Sequence, residues 1–280
     1  MSRPPAVPGR TPPPAVLRAF GVRDEPVLLD GGQYRAFRAG GLVLKPVDDP
    51  PEQHDWLCET YAAWSAHDLV RVPEPVAADA GWSAHGWSAH RWLEGGTVRA
   101  GDDPDRFRRT AEAFHDVVAP LDRPSFLDVR DDAWSFGDRV AFEGATPVGR
   151  PETLAMLEPL LAALRPVETP FQVIHGDLGG NVLRAPGRPD AVIDWPPYFR
   201  PRGFVLAVTA GDAVAWEGAP ASLLDRWADV PEWDQLLLRA VVYRVATRGH
   251  AEAAGVPVGG THEYAAVRWP VVDLVLARLG

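Results

Sequence analysis

The stretch FQVIHGDLGGNVLR, residues 171–184, contains Asn181, the only asparagine in the 280-residue chain. It also contains Ile174, one of two isoleucines; the other is Ile193. A third rarity stands in LVLKPV, residues 42–47, where Lys45 is the only lysine among 28 Lys and Arg residues. Lysine, asparagine and isoleucine have AT-rich codons, so a GC-rich coding bias accounts for their depletion. Arginine replaces lysine wherever a solvated positive charge suffices, but its guanidinium is wider and planar where an ammonium is a compact point charge. The surviving lysine and asparagine therefore mark positions where the substitute fails to do the same chemistry.

Composition narrows the classes. A hydrophobic fraction of 46% with eleven tryptophans indicates a folded globular chain, long enough for one large domain or two lobes. No apolar run approaches the roughly 18 residues a membrane span needs. The N-terminal MSRPPAVPGRTPPPAVLRAF has no signal-type apolar core; it reads as a proline-rich arm, residues 1–20, ending in a short helix near Ala15 to Phe20. Cys58 is alone, which excludes a disulfide framework and suits a reducing cytoplasm. A net charge of −10 disfavours nucleic-acid binding and is compatible with a cationic small molecule.

Along the chain, residues 21–93 read as strands interrupted by one helix. PVLLDGGQYRAFRAGGLVLKPV gives three strands separated by Gly-Gly turns, the third ending near Lys45. PPEQHDWLCETYAAWSAHDL reads as an amphipathic helix with Trp56, Tyr61 and Trp64 inward, and EPVAAD and GWSAHRWL read as two more strands. After Glu94–Gly96 the period becomes helical. Phe107, Thr110, Ala111, Phe114, Val117 and Val118 share one face, as do Leu154, Leu157, Leu160, Leu161 and Leu164. Further helices are expected near 232–247 and 262–279. Residues 94–280 thus form a larger, mainly helical part, and a ligand is expected in a cleft between the two parts.

Three segments fit one reaction. Asp177 in HGDLGGN can accept a proton from an attacking hydroxyl, Asn181 can offer an amide oxygen to Mg²⁺, and Asp194 in VIDW can add a carboxylate. Mg²⁺ favours such hard oxygen ligands together with phosphate oxygens. Lys45 supplies an ammonium for the phosphates. Phosphoryl transfer needs mainly positioning and charge neutralisation, and this set provides both.

The HGD…N…IDW core and the order of elements resemble the aminoglycoside phosphotransferase family, with the choline-kinase and fructosamine-kinase branches as relatives, from about Val27 to the C-terminal helices. The resemblance implies an α+β, protein-kinase-like two-lobe fold, with a small antiparallel-sheet N-lobe bearing one helix and a larger helical C-lobe. It implies transfer of the γ-phosphate of ATP or GTP, with Mg²⁺, to a hydroxyl of a small-molecule acceptor. By motif position, Gly31 and Gly32 correspond to the loop over the phosphates, Lys45 to the third-strand lysine and Glu59 to its ion-pair partner. Arg91 to Leu93 fall in the hinge at the adenine edge, and Leu183 beneath the base. Asp177 matches the catalytic aspartate, and Asn181 and Asp194 the metal ligands. Two features depart from the pattern. The Asp177–Asn181 loop is one residue shorter than is usual there, and WPPYFRPRGF follows Asp194 where an acidic residue and GDP are common, a combination similar to an actinobacterial subgroup.

Other readings compete. A catalytically silent, kinase-like protein that binds nucleotide or a partner would also retain these motifs. The tandem GWSAHGWSAH, residues 81–90, resembles a G-x-S-x-G elbow around Ser83 or Ser88, but lacks the strand–turn–helix context. His67, His85 and His90 lack the spacing of a zinc site. Asp212, Glu217 and Asp225, near Trp216 and Trp227, could line a pocket for a cation, or could be solvated helix residues beside core tryptophans.

Overall fold

The computed structural model describes residues 11–30, 35–64 and 68–280. Gly31, Gly32, His67 and residues 1–10 of the arm lie outside the described residues. The chain divides into two compact units, Met1–Gly96 with Leu183–Ile193, and Thr97–Val182 with Asp194–Gly280.

The first unit is built on an antiparallel sheet in the order β1 (Val27–Leu28), β2 (Phe37–Ala39), β3 (Leu42–Pro46), β5 (Trp87–Arg91), β4 (Ser83–Ala84). Alternation decides which residues enter its core. Phe37 and Ala39 on β2 and Leu42 and Leu44 on β3 point inward, and Trp87 and Ala89 on β5 join them. Val16 and Phe20, on and just after α1 (Pro14–Ala19), close the cluster, which explains why an arm of prolines ends in apolar residues. The pentad repeat becomes the β4–β5 hairpin, with Ser83 opposite Ser88 and Ala84 opposite Trp87. Its two-residue turn, His85–Gly86, has positive φ at both positions, the type that matches strand twist. The expected strand EPVAAD instead runs alongside β5 as an irregular segment, held by Val76 N–H to Ala89 C=O and Arg91 N–H to Glu74 C=O. Helix α2 (Pro51–Trp64) buries Cys58, Tyr61 and Trp64 and leaves Glu59 exposed. Burial, with Asp55 and Glu59 adding, pushes the Cys58 thiol up to about 12, so it is inert.

The second unit is helical. Helix α3 (Pro104–Val118) begins at Asp103, whose carboxylate accepts the Arg106 N–H, and buries Phe107, Thr110, Ala111, Phe114 and Val118 as the periodicity predicts; Val117 is only half-buried. In α5 (Pro151–Ala163) the core face is Thr153, Met156, Leu157 and Leu160, one step round from the leucine stripe. Three helices lie outside the expected segments. Helix α4 (Ala133–Glu143) is set by a capping box between Asp132 and Ser135 and ends at Gly144 in the left-handed conformation. Helix α6 (Phe204–Trp216) is apolar almost all round and therefore shows no amphipathic period. Helix α7 (Leu223–Arg226) is a single turn. The long α8 (Trp233–Ala253) packs against α4, α5, α6 and α9 (Thr261–Ala277). Beside them β7 (Phe171–His175) pairs antiparallel with β10 (Pro197–Pro201), in a two-stranded sheet whose open edge tolerates the prolines.

Candidate active site

Strand β7 delivers His175, Gly176 and Asp177, and the segment after Asp194 is laced to it. The Trp195 indole N–H donates to Ile174 C=O at 2.9 Å, and Gly176 N–H donates to Pro196 C=O at 2.9 Å. These bonds bring the HGD and IDW segments side by side. Gly176 is required there, because a Cβ would lie 2.1 Å from Cδ2 of Tyr198. Behind the strand, the buried Phe114 ring meets His115, His175 and Trp195 edge-on, with centroids 5.5, 5.6 and 5.1 Å away. His115 Nε2 accepts the His175 N–H at 3.2 Å, and His175 Nδ1 accepts the Asp177 N–H at 3.2 Å. Burial, with His175 and Arg202 adding, pushes His115 down to about 3, so it stays neutral and keeps that acceptor. His175, to which the sequence assigned no chemistry, has a positioning task.

The Asp177–Asn181 loop closes as a turn, with Asn181 N–H to Leu178 C=O at 2.9 Å and Gly180 at φ +80°. Glycine adopts that conformation without strain, which accommodates the short loop. The Asn181 amide nitrogen donates to Asp177 C=O at 2.7 Å, which pins the nitrogen inward and orients the side chain. Asp194 is exposed and left-handed, at φ 54°, an uncommon conformation outside glycine that aspartate tolerates better than most residues.

Arg244, Arg268 and Trp134, which sequence reasoning did not single out, complete the surroundings of Asp177 together with Asp212, one of the acids considered for a cation pocket. Arg244 on α8 donates from Nη2 to Asp177 Oδ1 at 2.5 Å and from Nε to Asp212 Oδ2 at 2.7 Å. Arg268 on α9 donates to the other Asp212 oxygen at 3.1 Å. Burial raises the Asp212 carboxyl, but Arg244 and Arg268 outweigh it and hold the group below its ordinary value. The Arg244 guanidinium lies 5.2 Å from the ring centre of Trp134, a half-exposed residue of α4. Among 27 arginines nothing in the sequence distinguishes Arg244, which meets Asp177 across 67 positions. Of the acids considered for a cation pocket, Asp225 pairs with Arg278, and Glu217, half-buried after the end of α6, has its carboxyl raised by burial. Trp227 is core and Trp216 half-exposed.

In the first unit Lys45 lies on β3 opposite Ser88 of β5. Ser88 is buried in the sheet, and its hydroxyl donates to the Lys45 C=O at 3.5 Å. Glu59 forms no ion pair among the described residues. Arg91 ends β5 opposite Leu42, and Leu93 follows two residues later, half-buried. Leu183 joins this unit: a Cβ on Gly95 would lie 3.0 Å from the Leu183 Cβ, so the hinge glycine and the expected base-stacking residue pack together. Among the described residues no three His, Cys, Asp or Glu side chains cluster as a metal site, and no helix is long and apolar enough to cross a membrane.

The model of the phosphotransferase enzyme family (APH) matches residues 35–197, more than half of the chain. The chain belongs to this family. The family match identifies it as a phosphotransferase. The fold agrees. A thermostable aminoglycoside phosphotransferase APH(4)-Ia, in apo form, superposes with a TM-score of 0.59 at 18% identity, covering 94% of this chain and 97% of that one. A choline/ethanolamine kinase family protein from Mesorhizobium loti gives 0.57 at 18% identity, covering 92% and 93%. Macrolide 2'-phosphotransferase MphH from Brachybacterium faecium gives 0.53 at 17%, covering 92% and 95%. APH(4)-Ia has also been solved with ADP and hygromycin B, and with AMP-PNP and hygromycin B. No curated protein gives a significant sequence match. The α+β, protein-kinase-like class is thus established for this member.

Proposed function

We propose that the protein transfers the γ-phosphate of ATP or GTP, with Mg²⁺, to a hydroxyl of a small molecule. The observation that carries this reading is the loop itself. With the Asn181 nitrogen spent on the Asp177 carbonyl, its Oδ1 is left for a hard cation, and Asp194 presents an exposed carboxylate on the adjoining segment. Such a pair of oxygen donors fits Mg²⁺, which would neutralise charge on the nucleotide phosphates when bound. Asp177 uses Oδ1 on Arg244 and has Oδ2 for the acceptor. The acceptor oxygen forms the new bond to Pγ, the bond from Pγ to the β–γ bridging oxygen breaks, the nucleoside diphosphate leaves, and the hydroxyl proton passes to Asp177. Lys45 meets the phosphates as a point charge, Leu183 and the backbone at Arg91 to Leu93 take the base, Gly31 and Gly32 belong to the phosphate side, and Glu59 would reach Lys45 only when nucleotide is bound. The binding of nucleotides by APH(4)-Ia supports the donor class.

The test is thermal unfolding with ATP, GTP or neither, with and without Mg²⁺, on wild type and Asp194→Ala. A nucleotide at a hundredfold over its dissociation constant adds about 2.7 kcal/mol. A Mg²⁺-dependent rise in wild type that is lost in Asp194→Ala is expected. No rise with either nucleotide at millimolar concentration would refute the reading.

A further inference from the structure

Resting on that reading, we infer that Arg244 is a positioning and specificity residue: it fixes Asp177 with one oxygen turned to the acceptor, and its guanidinium fills the seat beside the catalytic carboxylate that a cationic acceptor would need. The acceptor is therefore a hydroxyl compound uncharged around its reacting group.

The geometry builds the first half. Arg244 reaches two carboxylates at once, Asp177 through Nη2 at 2.5 Å and Asp212 through Nε at 2.7 Å and Nη2 at 2.6 Å. Its side chain is 10% exposed and that of Asp177 is 42% exposed, so the contact is made from the protein side and leaves the carboxylate accessible from the other. The guanidinium cannot drift. Asp212 holds it on one edge, Arg268 locks Asp212 from behind, and the Trp134 and Tyr243 rings each lie 5.2 Å from its centre. A fork held at both ends is how a planar cation fixes a carboxylate rotamer, which an ammonium does not do.

Charge supplies the second half. An ammonium group on an acceptor binds where a carboxylate or an aromatic face is uncommitted. Here Asp212 is shared between two arginines, Glu252 is taken by Arg248, Thr153 and Thr261, burial disfavours the charged form of the half-buried Glu217, and the Trp134 face is already under a guanidinium. Trp216, also half-exposed, lies 5.5 Å from the Arg268 guanidinium, and the buried Arg268 Nε has no hydrogen-bond partner among the described residues. At this wall the two carboxylates that would receive a second cation are already matched by Arg244 and Arg268. A neutral polyol meets aromatic surface and the free Asp177 oxygen.

Hydrolysis of the nucleotide, in which water takes the acceptor's place, reads the inference without knowledge of the acceptor. Wild type and Arg244→Ala are compared for the nucleotide-dependent thermal shift and for ADP or GDP release, with and without ethylguanidinium, the side chain that the substitution removes. Arg244→Ala is expected to keep the shift and its KM for nucleotide and to lose about 10²-fold in kcat, the usual effect of a slight misplacement. Ethylguanidinium should restore much of that loss and leave wild type unchanged, because there the seat is filled. Undiminished kcat in Arg244→Ala would overturn the inference, as would a folded variant that ethylguanidinium does not rescue, or wild type that it stimulates. In a panel of neutral sugars and their amino-sugar counterparts, wild type preferring the aminated members would also overturn it. Wild type with neither shift nor hydrolysis would instead sink the parent reading.

Discussion

Acid should release strand β7 through His115. The residue is 1% exposed, its ring nitrogen accepts the His175 N–H, and burial holds it at about 3 where an unfolded chain titrates near 6.5. The folded value is the lower one, so between those values the unfolded chain binds a proton that the native chain refuses. Stability from this residue is complete above about pH 6.5 and falls as the pH drops toward about 3. At about 1.4 kcal/mol per pH unit, the whole interval amounts to at most ~5 kcal/mol, a large share of a typical 5–15 kcal/mol stability. Urea unfolding of wild type and His115→Gln, from neutral pH to about pH 4, isolates the effect, since the carboxylates common to both cancel in the difference. Glutamine can keep an acceptor for the His175 N–H and does not titrate. The wild-type curve should fall more steeply with acid by about one proton's worth, ~1.4 kcal/mol per pH unit, below about pH 6. Parallel curves for the two proteins would refute the assignment of a buried neutral His115.

Gly176→Ala should destabilise by about 1–3 kcal/mol or prevent folding, because the new methyl would lie 2.1 and 2.3 Å from the Tyr198 ring; an unchanged midpoint in urea would show that the ring has room to move. Asp138→Ala leaves the 9%-exposed Arg200 with the half-exposed Glu143 and the Phe199 carbonyl, after losing bonds of 2.9 and 2.5 Å, and should cost ~3–5 kcal/mol in calorimetry. A cost below about 1 kcal/mol would mean that Arg200 finds water or another acid.

The parts of this molecule legible in sequence are those whose signal is local. Glycine pairs and alternation gave the β2–β3 hairpin, and α3 showed its face because one side of it meets solvent. Helix α6 was invisible for the opposite reason: buried on nearly every side, it has no polar face to set a period. The leucine stripe of α5 pointed one step away from the true core, because Thr153 and Met156 are inward and leucine alone was counted. Scarcity made Lys45 and Asn181 stand out as candidates. Scarcity fails for Arg244, an abundant residue type whose role exists only through contacts with Asp177 and Asp212, 67 and 32 positions away.

The construction around Asp177 is lopsided, and the reaction explains why. Behind the strand, every neighbour is buried and committed: Phe114 touches three rings, His115 and His175 each accept a backbone N–H, and Trp195 donates to Ile174. In front stand one partly exposed carboxylate, one oriented amide and the exposed Asp194 in a backbone conformation that aspartate enters at some cost. A phosphoryl group in flight needs little covalent help and much exact placement of charge. In the proposed reaction the packed back wall would supply the placement, and the sparse front would leave room for nucleotide, cation and acceptor. The same division predicts where substitutions speak: back-wall changes such as His115→Gln should register first in stability and its pH dependence, whereas Asp194→Ala should register in the nucleotide-dependent shift, measured against its own nucleotide-free midpoint because alanine is strained at φ 54°.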